Sequence, residues 1–147
     1  MQKQLFKVIL STIVLCSCSN ETIIQTEQYS NVSLQNFNYD DISDYELVRD
    51  TIFDVASDDY YVYFYSMSCS HCEELKNYII EKALNRGDIY FVKGTSKDQI
   101  TNDPKKSIGA GIPEDIWILG YPTLLQIQNQ KCSKNLAGIT QIKAELK

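Results

Sequence analysis

Between Tyr61 and Gly87 the chain admits few folds. Tyr61-Val62-Tyr63-Phe64-Tyr65 is bulky and apolar at consecutive positions, which predicts a strand over 60–66 covered on both faces. Cys69 and Cys72 follow, two residues apart, and a helical pattern begins at once with Cys72, Leu75, Ile79 and Ala83 on one face. The helix runs from about Ser70 to Asn85 or Arg86 and stops at Gly87, a residue free to take the left-handed conformation that ends helices. Ile89-Tyr90-Phe91-Val92 is the next buried strand. Strand, helix and strand at this spacing predict a parallel β-α-β unit. A Cys-x-x-Cys pair at the start of a helix points to thiol–disulfide chemistry. The reactive species is the thiolate, and free N–H groups at the helix N-terminus stabilise that anion.

The N-terminus reads as an export signal. Lys3 and Lys7 precede an apolar run from Val8 to Leu15, too short for a permanent membrane span. Leu15-Cys16-Ser17-Cys18 resembles the lipobox of bacterial lipoproteins, in which a small residue precedes a cysteine that is acylated. Ser17 makes Cys18 a better lipidation candidate than Cys16; an ordinary signal with incidental cysteines stays open. The expected division is a signal at 1–17, an anchor and polar tether at 18–42, and a folded domain at 43–147. An anchored domain of this kind would work outside the cytoplasm, on a bacterial membrane, where disulfides persist. Loss of 1–17 removes two lysines and no acid, taking the formal charge from −5 to −7. That balance argues against nucleic acid and against electrostatic adhesion to anionic lipid.

Further along, Val32 and Leu34 alternate as in a short edge strand. Ser43 with Glu46 has the spacing of a capping box, with Ile42 and Leu47 as its staple. Leu47, Val48, Ile52 and Val55 then predict a helix over 44–56. Residues 94–111 read as a polar loop with one or two short helices, and Pro113 opens a helical turn carrying Ile116 and Trp117. A strand over Thr123–Gln128, a turn at Asn129-Gln130 and a strand from Lys131 to Leu136 form a hairpin. Gly138 breaks the pattern, and Ile139 to Lys147 closes it as a helix.

Over residues 43–147 the chain resembles the thioredoxin superfamily. The resemblance rests on Cys69-x-x-Cys72 after a hydrophobic strand, Tyr121-Pro122-Thr123 directly before a hairpin, and Gly138 leading into a last helix. It implies an α/β thioredoxin-like fold, a central mixed β-sheet flanked by helices, and a thiol–disulfide oxidoreductase. Cys69 would attack and Cys72 would resolve the mixed disulfide. His71, the one histidine, stands where related periplasmic thiol oxidases carry theirs. It would favour the Cys69 thiolate and so a more oxidising couple. Glu73 and Glu74 would oppose it. Pro122 would follow a cis bond, and Tyr121, Pro122 and Thr123 would meet substrate, the Tyr121 backbone pairing with an extended segment.

The chain also departs from the pattern. Ser68-Cys69-Ser70-His71-Cys72 replaces the usual Trp-Cys-Gly-Pro-Cys, and Tyr63 stands where thioredoxins carry a buried aspartate. The stretch from Cys72 to Pro122 is longer than in small thioredoxins. The expected substrates are thiols or disulfides of exported proteins, with a membrane redox partner possible, no organic cofactor and no metal. Three other readings stay open: a structural disulfide, a non-catalytic binding module, and a soft-metal carrier using Cys69, Cys72 and His71. Trp117 is read first as core, and Cys132 as a small buried residue or an intermolecular thiol.

Overall fold

The computed structural model describes residues 36–147. The signal at 1–17, Cys16, Cys18 and the Val32–Leu34 strand lie outside the described residues. Among the described residues no helix is long and apolar enough to cross a membrane.

Among the described residues five strands make one sheet: β1 (Glu46–Leu47), β2 (Asp59–Tyr65), β3 (Ile89–Lys93), β4 (Thr123–Gln128) and β5 (Lys131–Ala137), in the order β1-β3-β2-β4-β5. β3 is parallel to β1 and β2, whereas β4 is antiparallel to β2 and β5. The helix α1 (Ser70–Arg86) links β2 to β3, and α2 (Ile139–Glu145) follows β5. This mixed sheet with flanking helices is the expected thioredoxin-like architecture.

β2 lies at the centre because it can be buried on both sides. Tyr60 to Tyr65 are all buried, and the side chains alternate between two clusters. Tyr61, Tyr63 and Tyr65 face α1 and α2, packing with Leu75, Ile79, Ile80, Phe91, Leu124 and Ile142. Tyr60, Val62 and Phe64 face the other way, onto Ile52, Val92, Ile116, Ile118 and Ile127. Both α-helices cover the first face. The second is covered by the 3-10 turns Arg49–Thr51 and Pro113–Asp115 and their flanking segments.

The α1 boundaries agree with the sequence: Gly87 has φ +75° and its N–H returns to the Ala83 carbonyl at 2.8 Å. The helix expected over 44–56 does not form. Leu47, Ile52 and Val55 do join the second cluster, as their spacing predicted, but the chain reaches it differently. The edge of β3 needs a backbone partner, and Glu46 and Leu47 supply it as β1, opposite Phe91 and Val92. Glu46 also accepts the Tyr65 hydroxyl at 2.6 Å. Val48, expected on the apolar face, is 67% exposed. The Ser43–Glu46 capping box is displaced to Asn38, whose N–H donates to the Asp41 carboxylate at 2.8 Å; a 3-10 segment, Tyr39–Tyr45, follows.

The packed unit begins ahead of residue 43. Phe37 and Ile42 are buried in the first cluster, and Tyr39 stacks on Tyr65 with ring centroids 3.9 Å apart. In 94–111 no helix forms. Turns are held by Ser107, whose hydroxyl donates to the Trp117 carbonyl and accepts its N–H, each at 2.7 Å. The turn at Pro113 ends at Asp115, short of Ile116 and Trp117.

Cys132 is a buried thiol on β5, 1% exposed. Burial pushes it from the ordinary 9.0 up to about 12. The folded chain therefore holds this proton where the unfolded chain has lost it. The associated stability is complete below pH 9 and falls as pH rises through the folded value, by about 1.4 kcal/mol per pH unit. Urea titrations of the reduced protein from pH 9 upward will show a shallower loss in Cys132→Ala than in the parent; equal slopes would contradict this.

Candidate functional site

β2 ends at Tyr65, and Ser66-Met67-Ser68 turns the chain so that Cys69 becomes the N-cap of α1. The Cys69 N–H donates to the Ser66 carbonyl at 3.1 Å, and the Ser66 and Ser68 hydroxyls are 3.1 Å apart. Cysteine thus takes the place usually held by Ser, Thr, Asp or Asn. Its Sγ accepts the Cys72 N–H at 3.3 Å. One of the helix's unpaired donors is aimed at the sulfur where negative charge would develop.

Cys69 is partly exposed, whereas Cys72 is 1% exposed, and both are free thiols. Burial, with a contribution from Cys69, pushes the Cys72 thiol up to about 12. A partly exposed thiol with a buried, protonated one behind it has the asymmetry that thiol–disulfide exchange requires. The two sulfurs sit three residues apart, across the first turn of α1.

Beneath Cys72 the position expected to lack a buried acid does lack one. Tyr63 fills it, fully buried, and among the described residues its hydroxyl and that of Tyr39 are both buried without a hydrogen-bond partner. Burial holds both phenols well above their ordinary range, and each feels the Cys72 sulfur. Cys72 therefore has uncharged polar neighbours. Tyr39 was not singled out by sequence, since it lies ahead of the expected domain start.

The second wall comes from the loop before β4. The Tyr121–Pro122 peptide is cis, as the resemblance implied. The Cys69 thiol donates to the Tyr121 carbonyl at 3.3 Å. Thr123 is buried, and its hydroxyl braces the loop, donating to the Gly120 carbonyl at 2.7 Å and accepting the Leu119 N–H at 3.2 Å. That leaves its hydroxyl committed to the loop. Gly138 donates to the Pro122 carbonyl at 3.2 Å, tying the loop to the start of α2.

The structure thus brings Cys69, Cys72, Tyr121 and Pro122 together. His71 is exposed on the first turn of α1. Among the described residues no hydrogen bond joins it to Cys69, so any influence it has is through charge across the helix start. Glu73 is engaged by Lys76 at 2.6 Å, which offsets part of the negative charge expected to oppose His71. Trp117 packs elsewhere: Lys106 Nζ lies 3.3 Å from its ring centroid, and its carbonyl receives Ser107 and Asn135. Among the described residues no three His, Cys, Asp or Glu side chains gather to hold a metal.

Asp98 and Arg49, like Tyr39, had no sequence signal. Asp98 lies in the polar loop after β3, where an acid reads as solvated, yet its side chain is only 2% exposed. It accepts the Tyr121 hydroxyl in a short hydrogen bond and pairs with Arg49 at 3.2 Å. Burial, and then the Asp98 carboxylate, hold the Tyr121 phenol above its ordinary range.

No family model and no curated protein sequence matches the chain. Among solved structures, thioredoxin f2 of Chlamydomonas reinhardtii is similar at 18% identity and a TM-score of 0.43, covering 68% of this chain and 88% of its own. Mitochondrial thioredoxin 3 of Saccharomyces cerevisiae, in its oxidised form, gives 14% and 0.46 over the same shares. The oxidised thioredoxin of Plasmodium falciparum gives 17% and 0.43, covering 66% and 85%.

Proposed function

We propose that the protein is a thiol–disulfide oxidoreductase, tethered to a bacterial membrane through a lipid on Cys18 and acting outside the cytoplasm on exported proteins. One arrangement supports the thiol–disulfide part of this reading: Cys69 Sγ at the N-terminus of α1, accepting the Cys72 N–H, with the buried Cys72 thiol behind it. The tether and compartment rest on the sequence at Leu15-Cys16-Ser17-Cys18.

In the oxidising direction, a substrate thiolate attacks the Cys69 sulfur of the Cys69–Cys72 disulfide. The Cys72 thiolate leaves and takes up a proton. A second substrate thiolate then attacks the substrate sulfur of the mixed disulfide, and Cys69 leaves as a thiolate. The substrate loses two electrons and the dithiol gains them. A membrane partner would return the pair to the disulfide. Cys69 leaves well because α1 stabilises its anion. Burial keeps Cys72 protonated once it has been displaced. The proposed direction is oxidation or exchange rather than reduction, on three grounds: His71 beside the pair, Tyr63 in place of a buried acid, and the expected compartment.

The test is catalysis of oxidative refolding of a reduced, disulfide-containing protein, set against catalysis of insulin reduction by dithiothreitol. Faster refolding supports the proposed direction; stimulation of reduction alone would reverse it. His71→Ala makes the couple more reducing, measured as a more negative midpoint against glutathione. An unchanged midpoint would make His71 a bystander.

A further inference from the structure

We propose that Arg49 and Asp98 are positioning residues for Cys69: through the Tyr121 side chain they hold the Tyr121 carbonyl on the Cys69 thiol and restrain its conversion to thiolate. The proposal rests on the reading of Cys69 as the attacking thiol.

Three segments distant in sequence converge here. Arg49 opens the 3-10 turn after β1, Asp98 lies in the loop after β3, and Tyr121 precedes β4. Asp98 is the hub. One carboxylate oxygen pairs with Arg49 Nη1 at 3.2 Å, and the other accepts the Thr95 N–H at 3.1 Å and the Tyr121 hydroxyl. Arg49 is held in turn, its Nη2 donating to the Ile116 carbonyl at 2.6 Å and the Pro113 carbonyl at 3.4 Å. The Thr95 hydroxyl also donates to the carboxylate at 3.4 Å. A buried carboxylate with an ion pair and three further donors has little freedom, and it passes that constraint to the phenol it binds.

The ring is fixed at its other side as well. Tyr121 lies directly over Gly94, so closely that a Cβ there would fall among the ring atoms. Gly94 itself is pinned, its N–H donating to the Tyr65 carbonyl at 2.7 Å at the end of β2. Glycine is required here by close approach rather than by an unusual φ. The ring therefore has one seat, and the peptide at its base is correspondingly placed.

What that peptide does follows from hydrogen-bond chemistry. Cys69 Sγ has two partners of opposite effect. The Cys72 N–H is a donor and favours the thiolate. The Tyr121 carbonyl is an acceptor; it binds only the protonated sulfur and faces a thiolate with its own partial negative charge. Fixing that carbonyl at 3.3 Å restrains the nucleophile. Loosening it frees the thiol to ionise under the influence of α1.

The experiment is iodoacetamide alkylation of the reduced full-length chain at pH 7, resolved by peptide so that Cys69 is followed apart from the other cysteines. Tyr121→Phe removes the hydroxyl and keeps the ring over Gly94. The expected result is Cys69 alkylation about three- to tenfold faster than in the parent, the span of one hydrogen bond. Asp98→Asn, which keeps an acceptor for Tyr121 but loses the charge that fixes Arg49, is expected to accelerate it less. Circular dichroism reports whether each variant is folded, and a merely structural role would lower the melting temperature without changing the native alkylation rate. Parental or slower alkylation in folded Tyr121→Phe overturns the proposal; if that variant does not fold, the same outcome in Asp98→Asn does so. Alkylation reads the thiol whether or not the protein catalyses exchange. Accelerated alkylation without any catalysis would therefore count against the proposed function alone.

Discussion

Cys69→Ser brings thiol–disulfide exchange down to the uncatalysed background, while Cys72→Ala accumulates a covalent adduct with substrate. Serine is chosen at 69 because that residue is the N-cap of α1, and serine caps helices well. Loss of activity would then report lost chemistry, with the helix start preserved. Without Cys72, Cys69 still attacks a substrate disulfide, but the resulting mixed disulfide has no internal thiol to release it. The adduct is read on a non-reducing gel and by intact mass, and it disappears with dithiothreitol. Full activity in Cys69→Ser would exclude the proposed chemistry at Cys69; a non-catalytic binding module would instead leave function in cells unchanged when both Cys69 and Cys72 are replaced.

Arg49→Ala is expected to lower stability by about 3 kcal/mol, because it strands a carboxylate rather than because it removes a favourable surface pair. Asp98 is 2% exposed, and the Arg49 side chain only 16%, so water cannot readily replace the guanidinium. The Ile116 and Pro113 carbonyls lose a donor at the same time. The Tyr121 hydroxyl and Thr95 N–H remain on Asp98, which places the cost toward the low end for a broken buried pair. The double variant Arg49→Met with Asp98→Asn should recover part of the loss, since the unpaired charge is gone. Urea unfolding of the two variants and the parent measures this. A double variant no more stable than Arg49→Ala would show that the lost side-chain contacts, not the stranded charge, set the cost.

Most of the sheet and all of α1 were legible in the sequence because their signals are local. Consecutive aromatic residues in β2, the apolar face of α1 ending at Gly87, and the Asn129-Gln130 turn between β4 and β5 each specify their element from neighbouring residues. The thiol pair was legible for the same reason. The segment 44–56 was misread because its apolar spacing has two solutions. Leu47, Ile52 and Val55 share a cluster, as in a helix, yet the open edge of β3 draws Glu46 and Leu47 into the sheet. That edge is a tertiary fact with no trace in the local pattern. Asp98 was hidden by composition, since only the fold brings Arg49 and Tyr121 to it. Tyr39 lay in a polar stretch read as tether, although it stacks on Tyr65 and lies near the Cys72 sulfur.

The central claim is that Cys69 and Cys72 form a reversible redox couple. Equilibrating the protein across a glutathione series, with the disulfide quantified by peptide mapping, tests it most directly. The expected result is one two-electron transition confined to Cys69 and Cys72, with a midpoint of roughly −120 to −180 mV and Cys132 reduced throughout. A pair that stays as free thiols across the series would contradict it.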